Sequence, residues 1–398
     1  MSRTRILVFS LLLSLTLAAC TGRDEKPEVL LASARDYLAR NDPAAAAIQA
    51  KNALQQDTTL AEGRFLLGLA LLRTADAPGA EAELRKALTY AFPEEQVMAP
   101  LAQAMLVQRQ HKKLIDEFSD TELVDAAAQA SLKTSLAIAY LATGKAESAQ
   151  AALQAALTAV PEHAPALLVQ ARSKAGQGEL EAALAGVETL LTKHPTNSDA
   201  WKFKGDLLWD TRRDAGDVMF AYRKAIELNP DHADAHTELL AMLMRQGKTD
   251  EAVAELAHLK RIAPKAVQTT YFDTLIAFEK KDFTRGMELA QQLLRIAPEH
   301  VSSLQLAGDM ALQSGDLTQA ESRLTKALQL APKSVLARQL LVMTYLRSGQ
   351  LDKARSTLEP VLGNSDLDVQ TLALAGDIYR KSGDTPKAEA FFAQMRKR

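Results

Sequence analysis

Few side chains of this sequence have a type and spacing that could support catalysis or bind a metal. His232 and His236 are four residues apart, which places two side chains on one face of a helix, as in zinc sites. No glutamate follows His232, which itself falls at a turn before a helix begins. Asp366 and Asp368 are paired carboxylates, but they fall in a connection, where we expect them to be solvated. We therefore predict no catalytic residue and no metal site.

Composition argues against several classes of protein. The 398 residues contain 47 Lys and Arg against 49 Asp and Glu, whereas nucleic-acid-binding domains are usually strongly basic. The sequence has no glycine-rich phosphate loop and no nucleophile elbow, so a lipid-anchored enzyme or a small-molecule-binding protein would need residues that are not found. Aromatic residues make up only 5% of the chain, and its bulk is aliphatic, which favours an all-α fold. We expect no nucleic acid and no small-molecule substrate.

The single cysteine, Cys20, marks the end of an apolar N-terminal segment. Arg3 and Arg5 precede an apolar run over residues 6–17, which is too short to span a bilayer and is typical of an export signal. The sequence Leu17-Ala18-Ala19-Cys20 resembles the lipobox of bacterial lipoproteins. The alternative is an ordinary signal peptide with a chance cysteine.

The lipobox resemblance implies a membrane anchor. Residues 1–19 would be a signal peptide removed by signal peptidase II, and the Cys20 thiol would carry diacylglycerol with acyl chains such as palmitate. No other cofactor is expected. Residues 20–26 would form a short tether to the membrane. Thr21, where Asp would favour inner-membrane retention, favours the outer membrane facing the periplasm.

From residue 27 onward the sequence repeats with a period of about 34. Prolines recur at positions 161, 195, 230, 264, 298 and 332. Glycines recur in the same register at positions 144, 178, 247, 315, 349 and 383, and Arg213 and Lys281 fill the two gaps. Together with a third series of small residues, this pattern resembles the tetratricopeptide repeat, a helix–turn–helix unit. The resemblance implies an all-α, right-handed superhelical solenoid.

The register predicts about eleven repeat units in one continuous solenoid over residues 27–398. They begin near residues 27, 61, 95, 130, 164, 198, 233, 267, 301, 335 and 369. Within each unit, small residues such as Gly308 are expected where paired helices cross, with Leu324 filling the space between them. The third unit, residues 95–129, is expected to be irregular, because Arg109 falls at its turn and Leu114 replaces the packing alanine. Trp201 is expected in the core.

The resemblance also implies a binding groove lined by the first helix of each unit, at its fifth and ninth residues. The residues at these positions are Lys202, Gln305 and Gln339, and Arg172, Asp206, Asp309 and Asp377. Trp209 is a further candidate for this surface. The three aspartates each follow a packing glycine and could bind a partner or be simply solvated or locally capped. The basic clamp by which chaperone-docking repeats hold a C-terminal carboxylate is not reproduced.

The last unit carries two adjacent aromatic residues, Phe391 and Phe392. We predict that Phe392 packs inward and that Phe391 is left at the open end of the array, as a docking face or as tolerated exposure. Repeat arrays usually need polar end caps, which makes an exposed aromatic residue here notable.

Residues 31–118 are similar to the start of the repeat lipoproteins of the PEP-CTERM/exosortase system, of PrsT type. The similarity is carried by Ala34-Arg35-Asp36-Tyr37-Leu38, Ala47-Ile48-Gln49-Ala50-Lys51-Asn52-Ala53-Leu54, Leu67-Gly68, Gly79-Ala80-Glu81-Ala82-Glu83-Leu84-Arg85-Lys86-Ala87-Leu88, Pro93-Glu94-Glu95-Gln96-Val97 and Leu101-Ala102-Gln103-Ala104. It implies a non-catalytic, membrane-tethered scaffold that binds envelope proteins during protein sorting and exopolysaccharide production. The alternative is a periplasmic repeat lipoprotein that supports outer-membrane assembly, secretion or cell-wall enzymes.

Overall fold

The computed structural model describes residues 25–364 and 366–398, which contain 22 α-helices, one 3₁₀ helix and no β-strand. The all-α prediction is therefore confirmed for these residues. The predicted signal peptide and the lipid attachment at Cys20 lie outside the described residues and stay predictions. Within the described ranges, no helix combines the length and the apolar character that crossing a bilayer requires.

The described residues divide into two compact units, one that ends at Pro195 and one that runs from Thr196 to Arg398. The helices of the first unit are α1 (Pro27–Ala39), α2 (Pro43–Gln56), α3 (Ala61–Arg73), α4 (Ala77–Thr89), α5 (Glu94–Val107), α6 (His111–Phe118), α7 (Ala126–Ala142), α8 (Ala146–Ala159), α9 (Ala164–Gly176) and α10 (Leu180–Lys193). Those of the second unit are α11 (Ser198–Asp210), α12 (Ala215–Leu228), α13 (Ala233–Arg245), α14 (Thr249–Ile262), α15 (Val267–Glu279), α16 (Phe283–Ile296), α17 (Val301–Ser314), α18 (Leu317–Leu330), α19 (Val335–Arg347), α20 (Leu351–Leu358), α21 (Val369–Lys381) and α22 (Thr385–Arg396).

The helices are arranged as consecutive pairs, and each pair corresponds to one predicted repeat unit. Nine first helices begin at the residue where a unit was predicted to begin, and the third and fourth begin at Glu94 and Ala126. Within each compact unit, the second helix of a pair packs on the first helix of the next pair. First helices also contact one another directly, as α1 contacts α3 and α19 contacts α21. Their exposed side is called the first-helix face below.

Left-handed residues end the first helices. All six glycines of the predicted series have a positive φ, between 69° and 85°, and Lys281 has a φ of 58°. In the sixth pair the left-handed residue is Arg212, with a φ of 56°, so the prediction of Arg213 was wrong by one residue. The reason is the extra residue in this connection, which comes after the left-handed position rather than before it.

Glycines inside the first helices allow the paired helices to approach closely. A Cβ added at Gly308 would lie 2.6 Å from Cγ of Leu324, which is fully buried, as the sequence pattern indicated. The same contact joins Gly205 to the ring of Tyr222. Trp201, by contrast, is only half-buried, and its indole meets the Phe220 ring edge-on at 6.0 Å. The core prediction for Trp201 therefore holds only in part.

The third and tenth pairs both have a second helix of only eight residues, α6 and α20. The sequence predicted irregularity in the third pair, whereas the tenth was not singled out. In the tenth pair a 3₁₀ helix, Glu359–Val361, replaces the end of the second helix because Pro360 has no N–H to continue it.

Both short-helix pairs are joined to the preceding pair by the same side-chain group. Glu81 on α4 accepts hydrogen bonds from Gln110, at 2.9 Å, and from Lys113, at 2.9 Å. Glu321 on α18 accepts corresponding bonds from Gln350, at 3.4 Å, and from Lys353, at 2.9 Å. Each Gln follows its Glu by 29 residues and each Lys by 32, so the same three-residue group, here called the Glu–Gln–Lys clasp, recurs in both compact units.

Candidate functional site

Asp206 lies on α11 at the centre of a group of polar side chains. Its Oδ2 accepts a hydrogen bond from Nζ of Lys202, one turn earlier, at 2.8 Å. Its Oδ1 accepts a bond of 3.1 Å from the hydroxyl of Tyr222, which is buried between the paired helices. Burial and the nearby carboxylates, Asp206 foremost, raise the pKa of Tyr222, so this hydroxyl stays a donor. Lys202 and Asp206 are therefore fixed in place on the first-helix face.

Trp209 lies one turn beyond Asp206, and its side chain is 43% exposed. The guanidinium of Arg245, from the first helix of the next pair, lies 4.5 Å from the centroid of its ring. A cation over an indole face is attracted by the ring quadrupole. Trp209 is thus exposed on a first helix, and its part in a binding groove stays a prediction.

Glu238 on α13 belongs to the same surface and was missed by the sequence analysis. It is half-buried, and burial raises its pKa, as do the neighbouring carboxylates Asp206 and Asp234. Lys202 and Arg245 act in the opposite direction. The residue was missed because only the fifth and ninth positions of each unit were considered, and Glu238 is the sixth residue of its pair.

The other two aspartates of the series also lie on first helices. Asp309 on α17 is partly buried, and burial raises its pKa, although it accepts a hydrogen bond from Nε2 of Gln313 at 3.1 Å. Asp377 on α21 is 40% exposed and pairs with Arg380 at 2.7 Å. Arg172 is exposed on α9, in the first compact unit. These residues are accessible on the structure, but each aspartate already has a local partner.

Gln305 and Gln339 both have structural partners at the start of the next first helix, and a binding role for them stays a prediction. Nε2 of Gln305 donates to Oγ of Ser334, the cap of α19, at 2.6 Å. Gln339 is buried, and its Nε2 donates to Oδ1 of Asp368, the cap of α21, at 2.9 Å. The fifth residue of these helices lies against the start of the next first helix, where a long amide reaches the capping side chain.

A cavity of about 580 Å³ opens on the first-helix face between α19 and α21. It is lined by Met343, Leu346, Arg347, Gln370, Ala373, Leu374, Asp377 and Lys381. Met343, Leu346, Ala373 and Leu374 contribute its apolar surface, and Gln370 and the charged residues contribute a polar surface of similar extent. Such a volume lies within the roughly 300–1,000 Å³ range of ligand pockets.

Phe391 is not left free at the end of the last pair, which corrects its predicted exposure, and a docking role for it stays a prediction. Its ring is partly buried and stacks on the ring of Tyr379, with the centroids 5.6 Å apart and an interplanar angle of 12°. Phe392 lies inward against Gly376, as predicted, because the glycine leaves room for the ring. The Tyr379 ring, on the first helix of the same pair, gives Phe391 a partner that the sequence analysis did not consider.

The histidine pair has structural partners. Nδ1 of His236 lies 2.6 Å from a carboxylate oxygen of Glu255, and its Nε2 lies 3.0 Å from the carbonyl oxygen of Pro230. Nε2 of His232 lies 3.2 Å from Asp199. Within the described residues no group of three or more His, Cys, Asp or Glu could hold a metal ion. The two aspartates at 366 and 368 differ: Asp366 is 94% exposed, whereas Asp368 caps α21.

Comparison with known proteins identifies the repeat. Two profiles described as tetratricopeptide repeat match the chain, one over residues 212–271 and 311–372 and the other over residues 134–185 and 168–218. The chain contains tetratricopeptide repeats. The paired helices, the glycine turns and the small residues at the crossings are thus those of a tetratricopeptide-repeat (TPR) solenoid. TPR units imply protein partners, and they generally carry no catalytic residues.

A bacterial protein of described function is similar to part of the TPR chain. The probable biofilm formation methyltransferase WspC of Pseudomonas putida is 32% identical over 107 residues, which are 27% of this chain and 23% of that protein. Because the chain spans less than a quarter of WspC, the methyltransferase activity in that name is not transferred.

Among the solved structures that align with this chain are those of three proteins, compared by identity, coverage and TM-score. PilF of Pseudomonas aeruginosa is 17% identical and covers 50% of this chain and 90% of that chain, with a TM-score of 0.44. The Cut9–Hcn1 hetero-tetramer is 16% identical over 93% of this chain and 79% of that chain, with a TM-score of 0.46. Yeast Tom70 is 15% identical over 94% and 90%, with a TM-score of 0.41. At these values nothing about partners transfers to the TPR chain.

Proposed function

We propose that the chain is a non-catalytic, membrane-tethered scaffold of the bacterial cell envelope, which binds protein partners on the first-helix face of its TPR units. The observation that carries the binding role is the presence on that face of accessible groups of fixed geometry. Trp209 under Arg245 and the cavity between α19 and α21 both combine apolar surface with charge. Interfaces of this kind use a few aromatic and Arg anchors within a polar surround.

The tether is proposed from the lipobox-like sequence that ends at Cys20. More than one acyl chain is needed for stable anchoring, since a single chain gives only marginal membrane binding. The first described helix begins at Pro27, so the first TPR unit would lie close to the lipid headgroups. The outer membrane is the proposed location because Thr21 follows the cysteine.

The pathway proposed is PEP-CTERM/exosortase protein sorting and exopolysaccharide production. Its support is the similarity of residues 31–118 to the start of PrsT-type lipoproteins. In the structure this segment is a stack of three helix pairs, α1 to α6, the third of which has the short second helix α6.

The tether is tested by metabolic labelling with radioactive palmitate and by membrane fractionation on a density gradient. The native chain should incorporate label and sediment with outer-membrane markers, whereas Cys20→Ala should not incorporate label. Ser10→Ala, inside the apolar segment, is the matched control and should behave as the native chain. A native chain that incorporates no palmitate would contradict the tether.

The scaffold role is tested in the source bacterium by site-specific photocrosslinking. A photoreactive residue in place of Asp377, on the first-helix face, should give a discrete crosslinked envelope protein, whereas one in place of Lys326, on the second helix α18, should not. Deletion of the gene should also lower exopolysaccharide output or the surface display of PEP-CTERM proteins. Unchanged output and display would refute the pathway, and equal crosslinking from the two positions would refute the binding face.

A further inference from the structure

The apolar part of the cavity between α19 and α21 is formed by side chains of both helices. Met343 and Leu346, on successive turns of α19, face Ala373 and Leu374 of α21 across it. Ala373 stands where other pairs carry a larger residue, such as Tyr271 or Gln339, at the fifth position of the first helix. The small side chain leaves the space open. The cavity thus offers apolar surface for an apolar side chain of a partner, next to its polar and charged residues.

The charged residues that line this cavity are two cations, Arg347 and Lys381, and one carboxylate, Asp377. Arg347 is exposed and is held in place because its Nη1 donates to the carbonyl oxygen of Leu312 at 2.8 Å. Asp377 is neutralised by Arg380 at 2.7 Å. Lys381 is exposed and makes no hydrogen bond or ion pair with the described residues. Asp309, the other nearby carboxylate, is partly buried; burial raises its pKa, and the charge of Arg347 acts in the opposite direction. The rim therefore offers two cations, of which Lys381 has no partner of its own.

The opposite charge is found on the first-helix face of α11 and α13. There the carboxylates of Asp206, Asp234 and Glu238 outnumber the cations of Lys202 and Arg245. A segment that is suited to one of these two surfaces by charge is unsuited to the other. This difference provides an internal control for any experiment on the cavity.

We propose that the cavity between α19 and α21 binds an extended segment of a partner protein in which a leucine-sized apolar side chain is flanked by Asp or Glu. The apolar side chain enters the space above Ala373, and the flanking carboxylates pair with Arg347 and Lys381. The occupant is specified by charge complementarity to Arg347 and Lys381 and by the apolar side chains that line the cavity beside them. This inference rests on the proposed scaffold function and adds the chemistry of the partner.

The test measures the binding of labelled peptides to the full-length chain in detergent micelles by fluorescence polarisation. The probe is a seven-residue peptide with a central leucine between aspartate and glutamate residues, with blocked ends so that no terminal carboxylate contributes. Matched peptides replace the acidic residues with asparagine and glutamine or with lysine, and one replaces leucine with alanine. The acidic leucine peptide should bind several-fold tighter than the neutral peptide and about tenfold tighter than the basic peptide. Its affinity should fall as salt is added.

Variants assign the binding to the cavity. Lys381→Glu should weaken the acidic peptide by about three- to tenfold, and Ala373→Trp, which fills the cavity, should remove binding of all leucine peptides. Lys326→Glu on α18 is the control of equal charge change and should bind as the native chain. Far-ultraviolet circular dichroism confirms that each variant is folded.

The inference would be overturned by equal binding of the acidic and basic peptides, or by acidic-peptide binding that survives both Lys381→Glu and Ala373→Trp. Failure of every peptide to bind would also overturn it. The scaffold function is tested separately, by photocrosslinking in the cell. A crosslinked partner without acidic-peptide binding would retain the scaffold and reject this partner chemistry.

Discussion

The guanidinium of Arg245 lies 4.5 Å from the centroid of the Trp209 indole, and the two residues belong to the first helices of neighbouring pairs. The contact joins α11 to α13 on their exposed side, where Trp209 retains 43% of its accessible surface. The large exposed aromatic residue is thus held in one orientation by a charged neighbour, which lowers the entropy lost when a partner covers it.

Arg245→Gln should alter the fluorescence of Trp209 with little effect on stability. Removal of the guanidinium exposes one ring face to water, so the emission maximum should shift to longer wavelength, and the free energy of unfolding should fall by no more than about 1 kcal/mol. Arg223→Gln, an exposed arginine on α12, is the control and should leave the spectrum unchanged. An identical spectrum for Arg245→Gln would show that the stack is not formed in solution.

The Glu–Gln–Lys clasps should contribute unequally to stability. Glu81→Gln leaves Lys113 and Arg85 without a buried carboxylate, and we expect a loss of about 1–3 kcal/mol in urea unfolding. Glu321→Gln should cost less, because that side chain is 31% exposed, compared with 11% for Glu81. Glu147→Gln, at an exposed position on α8, is the control. Equal losses for Glu81→Gln and Glu147→Gln would contradict this role.

Acid should remove the contribution of Glu81. Burial opposes its ionisation, but hydrogen bonds from Lys113, Arg85, Gln108 and Gln110 outweigh burial and lower its pKa to about 2. A lowered pKa in the folded state means that the stabilisation is complete above the ordinary value of 4.5 and is lost as the pH falls towards about 2. The stability difference between the native chain and Glu81→Gln should therefore shrink over this interval. A difference that is constant down to pH about 2 would refute the assignment.

Ala75→Gly should stabilise the chain. Ala75 has a φ of 63°, which glycine adopts without the steric cost of a Cβ, so the expected gain is about 1 kcal/mol in the free energy of unfolding. Ala151→Gly, at an exposed position inside α8, should instead cost up to about 1 kcal/mol. Urea unfolding of both variants checks the opposite signs, and destabilisation by Ala75→Gly would contradict the left-handed turn.

Gly308→Ala should destabilise the second compact unit. The new methyl group would lie 2.6 Å from Cγ of the fully buried Leu324, and overpacking of this kind costs about 1–3 kcal/mol. Gly186→Ala on α10 is the matched control, because the nearest atom there lies at 3.7 Å. That substitution should be neutral or stabilising, since alanine has the higher helix propensity. Loss of stability at both glycines would show that close helix approach is not the cause.

The repeat register could be predicted because small residues have a local physical reason at each position. Glycine is needed where φ is positive, as at Gly315, and where helices cross closely, as at Gly308. These needs recur every 34 residues and reveal the helix starts. They do not reveal the length of α20, which depends on the single Pro360.

Hydrogen bonds between side chains of neighbouring pairs were harder to predict. The rule that the fifth residue of each unit lines the groove does not consider which residues of the next pair lie beside it. Gln305 and Gln339 each lie 29 residues before a capping side chain, Ser334 and Asp368, and that spacing is the signal that could have assigned them to structure. Phe391 needed the same reasoning, since its partner Tyr379 lies twelve residues earlier on the first helix of the same pair.

The left-handed position in the turns of the first three pairs is occupied by Asn41, Ala75 and Arg109, none of which is glycine. In the last three pairs the same position is occupied by glycine. A left-handed residue with a Cβ stores about 1 kcal/mol or more of backbone strain. Opening a pair near residue 40 releases that strain, and opening one near residue 380 releases none. The turns of α1 and α3 therefore store strain that the last three turns lack, and deuterium should enter the amides of α1 to α4 before those of α19 to α22.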